Sequence, residues 1–536
     1  MGAAFPAGLV FPINALPACQ TVEQGIDTLC HDAELKAQAV LRYYQQAPAD
    51  LLFCFSDIAI QAEAMGARLA YSPASLPVVV APAPNVLLPR AAQVGRMGVN
   101  AQVLARLDSQ FPGRLRAAMV YGPFTVAGQV AGEQEVLRST VERPELVHAL
   151  LEKTLALALD YARLLLETGA EVLWVSDPLA SLLPPIGFWE FAGQYLARLL
   201  EVHAGPTALH ICGDTSPIIG PMLQTGADGL SLDQCLDLLA LEDALPPEVA
   251  IIGNLDPVEV LELTSPEDVA AQTNELVEVM GLLPNFCLSS GCAPPPTAPL
   301  ANIASFLEAG RARWRQLAPH AQGLRDLAAT VHAGQRGKVP ALVSGLLEAG
   351  ASPLLVLNSG LMRAIRKGSA RYEVKQCHLP EILLMVDAFH QGFQQLEGRL
   401  GLAVDRPPQV VLGTVKGDVH EIGKNLVRIV LETQGVKVLD LGVNVEGRRF
   451  LEACQKQGVR VLGLSAFTTG ARRELKKVIQ LFRETGMEEV AVVVGGAAVN
   501  QQVAASVGAD GYARDALAAA RLVKGILARQ GRAGRG

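Results

Sequence analysis

The stretch Val410-Val411-Leu412-Gly413-Thr414-Val415-Lys416-Gly417-Asp418-Val419-His420-Glu421-Ile422-Gly423 reads as a strand followed by a loop, and Leu426 to Glu432 continues it as a helix. The strand is an unbroken apolar run, as expected of a strand covered on both faces in a parallel sheet. A loop at the carboxyl end of such a strand lies where open α/β sheets bind ligands. Asp418, two residues before His420, can accept one imidazole N–H, which fixes the tautomer and makes the other nitrogen a stronger donor to a metal. Gly423 leaves room for the helix to approach a bulky ligand. Asp-x-His-x-x-Gly taken alone is equally the text of an ordinary βα loop, so the context has to decide.

That context is a complete domain. Val436 to Leu441, Val459 to Ser465, Val490 to Val494 and Gly511 to Ala513 are further apolar or short runs separated by helical stretches. Together they predict a five-stranded, doubly wound sheet of the Rossmann or flavodoxin kind. With Gly413 to Asn425, Asp440-Leu441-Gly442, Ser465 to Thr469, Gly495-Gly496-Ala497 and Ala509 to Ala513 in this order, the region resembles the cobalamin-binding domain of methionine synthase and of the corrinoid proteins of methyl transfer. The resemblance implies that His420 replaces the cofactor's dimethylbenzimidazole as lower ligand of the cobalt, with Asp418 behind it. It also implies that Gly423, Ser465, Thr469, Gly495 and Gly496 accommodate the cofactor and its displaced nucleotide tail. The family usually has leucine where this chain has Phe467.

From Leu324 to Leu400 the apolar spacing is helical, as in Val339 to Leu347 and Ile382 to Phe389. This segment resembles the helical cap that precedes the cobalamin domain in methyl-transfer proteins, including its Leu379-Pro380-Glu381 helix start. Such a cap favours methyl transfer over radical isomerisation. Met385 and Phe389 read by default as core packing.

The first part of the chain carries strand-like runs at Leu51 to Ser56, Leu76 to Val80, Leu115 to Tyr121, Glu171 to Ser176, Thr207 to Cys212, Gly229 to Leu232, Val249 to Gly253 and Asn285 to Ser289. Their alternation with helices predicts an α/β fold of the (β/α)8 TIM-barrel type, whose chemistry lies on the loops after the strands. Those loops hold Asp57, Gly122 to Thr125, Asp177, His210, Cys212, Asp233, Asn254, Asp256 and Cys292. On an extended strand His210 and Cys212 point the same way. With Cys292 they offer three N and S ligands and an open fourth position, the pattern of a catalytic zinc site. A buried cysteine is ordinarily a small apolar core residue, and that reading suits Cys19, Cys30, Cys54, Cys235, Cys287, Cys377 and Cys454. Asp177 is the candidate catalytic residue, as a base or fourth ligand, against a structural hydrogen bond at the rim. Phe124, Trp174 and Trp189 read as packing or as pocket.

The segments Asp57 to Gly66, Gly122 to Gly128, Asp177-Pro178, His210 to Asp214, Gly253 to Pro257 and Gly291 to Pro295 resemble the uroporphyrinogen decarboxylase superfamily, and within it the zinc-dependent corrinoid methyltransferases. That resemblance makes His210, Cys212 and Cys292 the zinc ligands. Phe5 to Cys30 contains no arginine or lysine, whereas true decarboxylases grip porphyrinogen carboxylates with an arginine-rich segment there. The expected organisation is a barrel over 1–318, a helical cap over 319–402, a cobalamin-binding domain over 403–530 and a disordered tail over 531–536, stiffened at Pro407-Pro408. This order resembles the fused methyltransferases of halomethane use.

The expected function is a zinc- and corrinoid-dependent methyltransferase moving methyl between a small methylated substrate or thiol acceptor at the zinc and the cobalt of a corrinoid. The alternatives are a methyl-carrying or cobalamin-responsive module with a non-catalytic barrel, and a decarboxylase-like lyase. The expected partners are a small methyl donor, a thiol or folate acceptor, a second methyltransferase and a corrinoid-reactivating protein. A net charge of −8 over 536 residues argues against nucleic acid. No run of 18 apolar residues and no secretory leader is present, so no membrane is expected. Nine scattered cysteines fit reduced thiols in a cytoplasm.

Overall fold

The computed structural model describes residues 5–83, 86, 95–373, 376–400, 407–433, 436–468, 470–514 and 516–533. The chain forms two compact units. One comprises Met1–Ala329 with Asn358–Ile382, and the other Thr330–Leu357 with Leu383–Gly536.

In the first unit the strands are β1 (Val10–Phe11), β2 (Leu51–Phe53), β3 (Arg68–Ser72), β4 (Ser75–Ala81), β5 (Leu115–Tyr121), β6 (Val172–Ser176), β7 (Thr207–Ile211), β8 (Gly229–Leu232), β9 (Ala250–Leu255) and β10 (Phe286–Ser290). Eight of them form a nearly closed parallel barrel in the order β1-β10-β9-β8-β7-β6-β5-β2. The seam between β1 and β2 is stitched by Asp50: its carboxylate accepts the Val10 N–H at 2.9 Å, and its own N–H donates to the Val10 carbonyl at 3.1 Å. Arg311 pairs with the same carboxylate at 2.8 Å.

Leu76 to Val80 is not a barrel strand. It lies in β4, which pairs antiparallel with β3 as a separate hairpin, and Val78 and Val80 are exposed. The first barrel strand is Val10–Phe11 instead. Two residues carry no periodicity, whereas a valine run reads as a strand wherever it lies.

The barrel interior is filled with aromatic rings. Phe53 and Trp174 meet edge to face at 5.2 Å, and Phe11 meets Trp174 at 6.0 Å. All three are essentially buried. A packed barrel core confines any binding site to its mouth.

The helix Arg363–Glu373 belongs to this unit and is fastened by ion pairs: Arg363 to Glu242 (2.7 Å), Arg366 to Glu275 (3.0 Å) and Lys367 to Asp243 (2.7 Å). Arg363 also donates to the Val279 carbonyl at 2.6 Å.

The second unit holds β11 (Val410–Thr414), β12 (Val438–Asp440), β13 (Val461–Ser465), β14 (Ala491–Gly495) and β15 (Gly511–Ala513). They form a parallel sheet in the order β12-β11-β13-β14-β15. Strand order reverses between β11 and β13, which makes their carboxyl ends the topological switch point. One face is closed by Phe450, Leu475, Ile479 and Phe482 packed on Val411, Leu462, Leu464, Val492 and Val494. Met385 and Phe389 are buried in this unit's helical part, as core residues. The last helix runs from Ala516 to Ala533, so the segment 531–533 is helical. Positions 534–536 of the expected tail lie outside the described residues. Among the described residues no helix is long and apolar enough to cross a membrane.

Trp174→Ala removes the largest ring of the barrel core and should cost about 3–5 kcal/mol, read as a lower urea midpoint for the barrel transition. An unchanged midpoint would mean that the ring is not a core element.

Candidate metal and cofactor sites

Two clusters stand at strand carboxyl ends, one in each unit. At the barrel mouth His210 projects from β7 and Cys212 follows it on the same side. Cys292 comes two residues after β10. In the sheet β8 and β9 separate β7 from β10, so the sulfurs meet across the mouth, with Cys212 Sγ and Cys292 Sγ 3.4 Å apart. His210 Nε2 is 3.1 Å from Cys212 Sγ. Among the described residues this is the one group of three or more His, Cys, Asp or Glu side chains placed to share a metal ion, with all three ligand atoms within 4.8 Å of one another.

The donor set fits zinc, and the ligand atoms would have to part by only a few tenths of an ångström to hold it. Tetrahedral bonds of about 2.0 Å to nitrogen and 2.3 Å to sulfur place ligand atoms roughly 3.5–3.8 Å apart. His210 is 3% exposed, and its Nδ1 lies 3.0 Å from Ser231 Oγ on β8. A proton on Nδ1, donated to Ser231, turns the Nε2 lone pair toward the sulfurs, the tautomer that a metal requires. The hydrogen bond between the cysteines holds the Cys292 thiol down and pushes Cys212 up. By contrast, burial pushes Cys287 and Cys454 up to about 12, as suits inert core thiols. Ser231 was not singled out from sequence. Only the β7–β8 register, which sets it beside His210, reveals it.

The surrounding loops are tied together. Asp233 accepts the N–H groups of Gly213 (2.9 Å) and Cys235 (3.0 Å), and Asn254 donates to the carbonyls of Asp233 and Leu236. A Cβ at Gly291 would stand 2.4 Å from Gln234 N, so only glycine lets the Cys292 loop approach this closely.

Asp177 is not part of the cluster. Its backbone N–H donates to the His210 carbonyl, but its carboxylate turns to the start of the helix Pro123–Ala131, accepting Thr125 N–H at 2.7 Å and Thr125 O–H at 2.5 Å. That is the geometry of an anion at a helix N-terminus. A Cβ at Gly122 would overlap this carboxylate, at 2.3 Å. Phe124 and Trp174 are fully buried, while Trp189 is 37% exposed.

In the second unit the loop after β11 carries Asp418 and His420. Asp418 Oδ1 accepts from His420 Nδ1 at 2.7 Å, and Oδ2 accepts the N–H groups of Phe467 (2.6 Å) and Thr468 (3.1 Å). One buried carboxylate therefore joins the loops after β11 and β13 across the switch point. Burial works against its charge, but the N–H donors of His420, Phe467 and Thr468 outweigh it and hold the Asp418 carboxyl below the usual range. The His420 side chain is 38% exposed, with Nδ1 engaged and Nε2 on the opposite edge of the ring. Gly417 sits at φ +81°, and its N–H donates to Asn444 Oδ1 at 2.7 Å.

Gly423 opens the following helix with no heavy atom within 4 Å of where a Cβ would stand. Ser465 ends β13 beside these loops. At Gly496 (φ +109°) a Cβ would lie 2.3 Å from the Ala466 carbonyl oxygen, which brings the β14 turn directly against the loop after β13. Thr469 lies outside the described residues.

A uroporphyrinogen decarboxylase (URO-D) family model matches residues 16–313, and a B12 binding domain model matches residues 408–521. The dimethylamine corrinoid protein of Methanosarcina barkeri is 33% identical over 211 residues, 38% of this chain and 97% of that protein. The methylated-thiol–coenzyme M methyltransferase of Methanosarcina mazei is 27% identical over 286 residues, 52% of this chain and 77% of that protein. Among solved structures, a methyltransferase from Methanosarcina mazei superposes with a TM-score of 0.53 at 21% identity, covering 58% of this chain and 94% of the other.

Burial pushes the Asp177 carboxyl up to about 6, while an unfolded aspartate titrates near about 3.9. The folded state therefore keeps a proton that the unfolded chain has released, so this group's contribution to stability falls as pH rises from about 4 through 6 and is level above that. The difference in unfolding free energy between wild type and Asp177→Asn, measured across pH 3.5–7.5, should show this slope. A flat difference would mean that burial leaves the Asp177 carboxyl at its unfolded pKa.

Proposed function

The chain belongs to the uroporphyrinogen decarboxylase family and carries a B12-binding domain on the same polypeptide, and on that premise we propose that it is a zinc- and corrinoid-dependent methyltransferase. The observation that carries the reading is the convergence of His210, Cys212 and Cys292 at the mouth of a barrel joined to a carboxylate-backed, exposed histidine. A barrel serving only as scaffold has no use for three N and S ligands gathered at its mouth.

His210, Cys212 and Cys292 would hold the zinc, leaving its fourth position to a thiol acceptor or to the heteroatom of a small methylated substrate. When bound, zinc lowers the pKa of a thiol or polarises a leaving group, and a corrinoid carries the methyl group on cobalt. The protein's own part is positional. Ser231 fixes the His210 tautomer, the paired sulfurs supply negative charge, and the aromatic barrel floor keeps water from approaching from below. Asp418 sets the His420 ring with Nε2 free to ligate cobalt, and Gly423, Ser465, Gly495 and Gly496 line the crevice for the rest of the cofactor. Asp177 acts through the helix start that it caps, shaping the rim without touching the reacting atoms. The methylated-thiol methyltransferase among the relatives supports a sulfur-bound methyl group as substrate or product. Placing acceptor site and carrier on one chain raises their effective concentration for each other.

Metal analysis of anaerobically prepared protein loaded with cobalamin should find about one zinc and one cobalt per chain. Cys292→Ala should lose zinc and turnover while keeping the corrinoid absorption, and His420→Ala should alter that absorption while keeping zinc. Cobalt without zinc in the wild type would instead leave a methyl carrier whose catalyst is a separate protein.

A further inference from the structure

An imidazole tethered at one nitrogen can still turn about that hydrogen bond. Asp418 Oδ1 accepts the His420 backbone N–H at 3.0 Å and holds the ring itself at Nδ1 alone, and the side chain is 38% exposed. Phe467 lies against its face. The two ring centroids are 4.0 Å apart and the planes are inclined by 20°, a close, nearly parallel stack. Both rings depend on the same carboxylate, since Asp418 Oδ2 accepts the Phe467 backbone N–H at 2.6 Å while Oδ1 accepts the imidazole. The loop carrying Phe467 is fixed in turn, as Ala466 N–H donates to the Gly495 carbonyl at 2.9 Å and the Ala466 carbonyl accepts from Ala498. The leucine usual at this position in the resembling family has no ring face to offer.

We propose that Phe467 is a positioning residue for the lower cobalt ligand, fixing the plane of the His420 imidazole so that Nε2 is presented ready for ligation. The inference rests on the corrinoid reading above. A ring already held in one plane loses less freedom when it ligates, so ligation is favoured. Aromatic pairs of this kind are worth roughly a two- to tenfold change in an equilibrium.

The test uses the full chain loaded with cob(II)alamin, with and without 15N-labelled histidine, in wild type, Phe467→Ala, Phe467→Leu and Phe467→Tyr. Electron paramagnetic resonance distinguishes a protein imidazole on cobalt by nitrogen coupling that changes with the label. The wild type should show that coupling. Phe467→Ala and Phe467→Leu should lower the ratio of imidazole-bound to imidazole-free cobalt by roughly two- to tenfold, and Phe467→Tyr should restore it. In the corrinoid-free chain the His420 ring protons should lie upfield in wild type and Phe467→Tyr, and move downfield in Phe467→Leu, which keeps apolar bulk for folding. Label-sensitive coupling in the wild type with an unchanged ratio in the Leu variant would overturn the role of Phe467 alone. Absence of that coupling in the wild type would overturn the His420 reading, and this inference with it.

Discussion

Both candidate sites follow from one constraint: in a parallel sheet every strand delivers its carboxyl end to the same edge. Side chains meant to act together must gather there, and the two sheets solve this differently. The barrel curves the edge into a ring, so that residues leaving β7 and β10 meet across it although two strands lie between them. An open sheet has no such ring. Its loops diverge above and below except where strand order reverses, and that is where the Asp418 carboxylate spans from the loop after β11 to the loop after β13.

The two histidines differ in the way their proposed metals demand. His210 is nearly inaccessible, and a neutral serine hydroxyl holds its Nδ1. A hydroxyl fixes the tautomer while adding no charge, and the charge that a metal there would meet would come from sulfur. His420 is half-exposed and is backed by an ionised carboxylate, which raises its strength as a donor. A sulfur-rich cluster around a buried imidazole and an open, nitrogen-presenting surface are thus built from the same strand-to-loop element by changing what stands behind the imidazole.

Much of this was legible in the sequence because it depends on short-range periodicity. His210 and Cys212 share a face through the two-residue repeat of a strand, and the Gly417–Gly423 loop announces itself between an apolar run and a helix. Cys292 is reached through its place after the last barrel strand and through a likeness to known sequences, since nothing in local spacing ties it to residues 80 positions earlier. The features that escaped depend on long-range register or on side-chain direction. Val10–Phe11 is too short to show a period, and the valines of β4 mimic a buried strand while facing outward. Asp177 sits at the expected rim position, but only the fold shows its carboxylate turned to Thr125. The departure at Phe467 is visible in the text, yet the ring's place on His420 is not.

The interleaving of the two compact units bears on how the chain is made. Helix Arg363–Glu373, with its ion pairs to Glu242, Asp243 and Glu275, belongs to the barrel unit, yet Thr330–Leu357 of the other unit precedes it. Domains generally fold in order of emergence from the ribosome. Here the first unit cannot be finished before part of the second has already been synthesised. Folding of the two therefore overlaps in time, and a nascent chain paused near residue 357 would carry a barrel with Glu242 and Glu275 still awaiting their arginines.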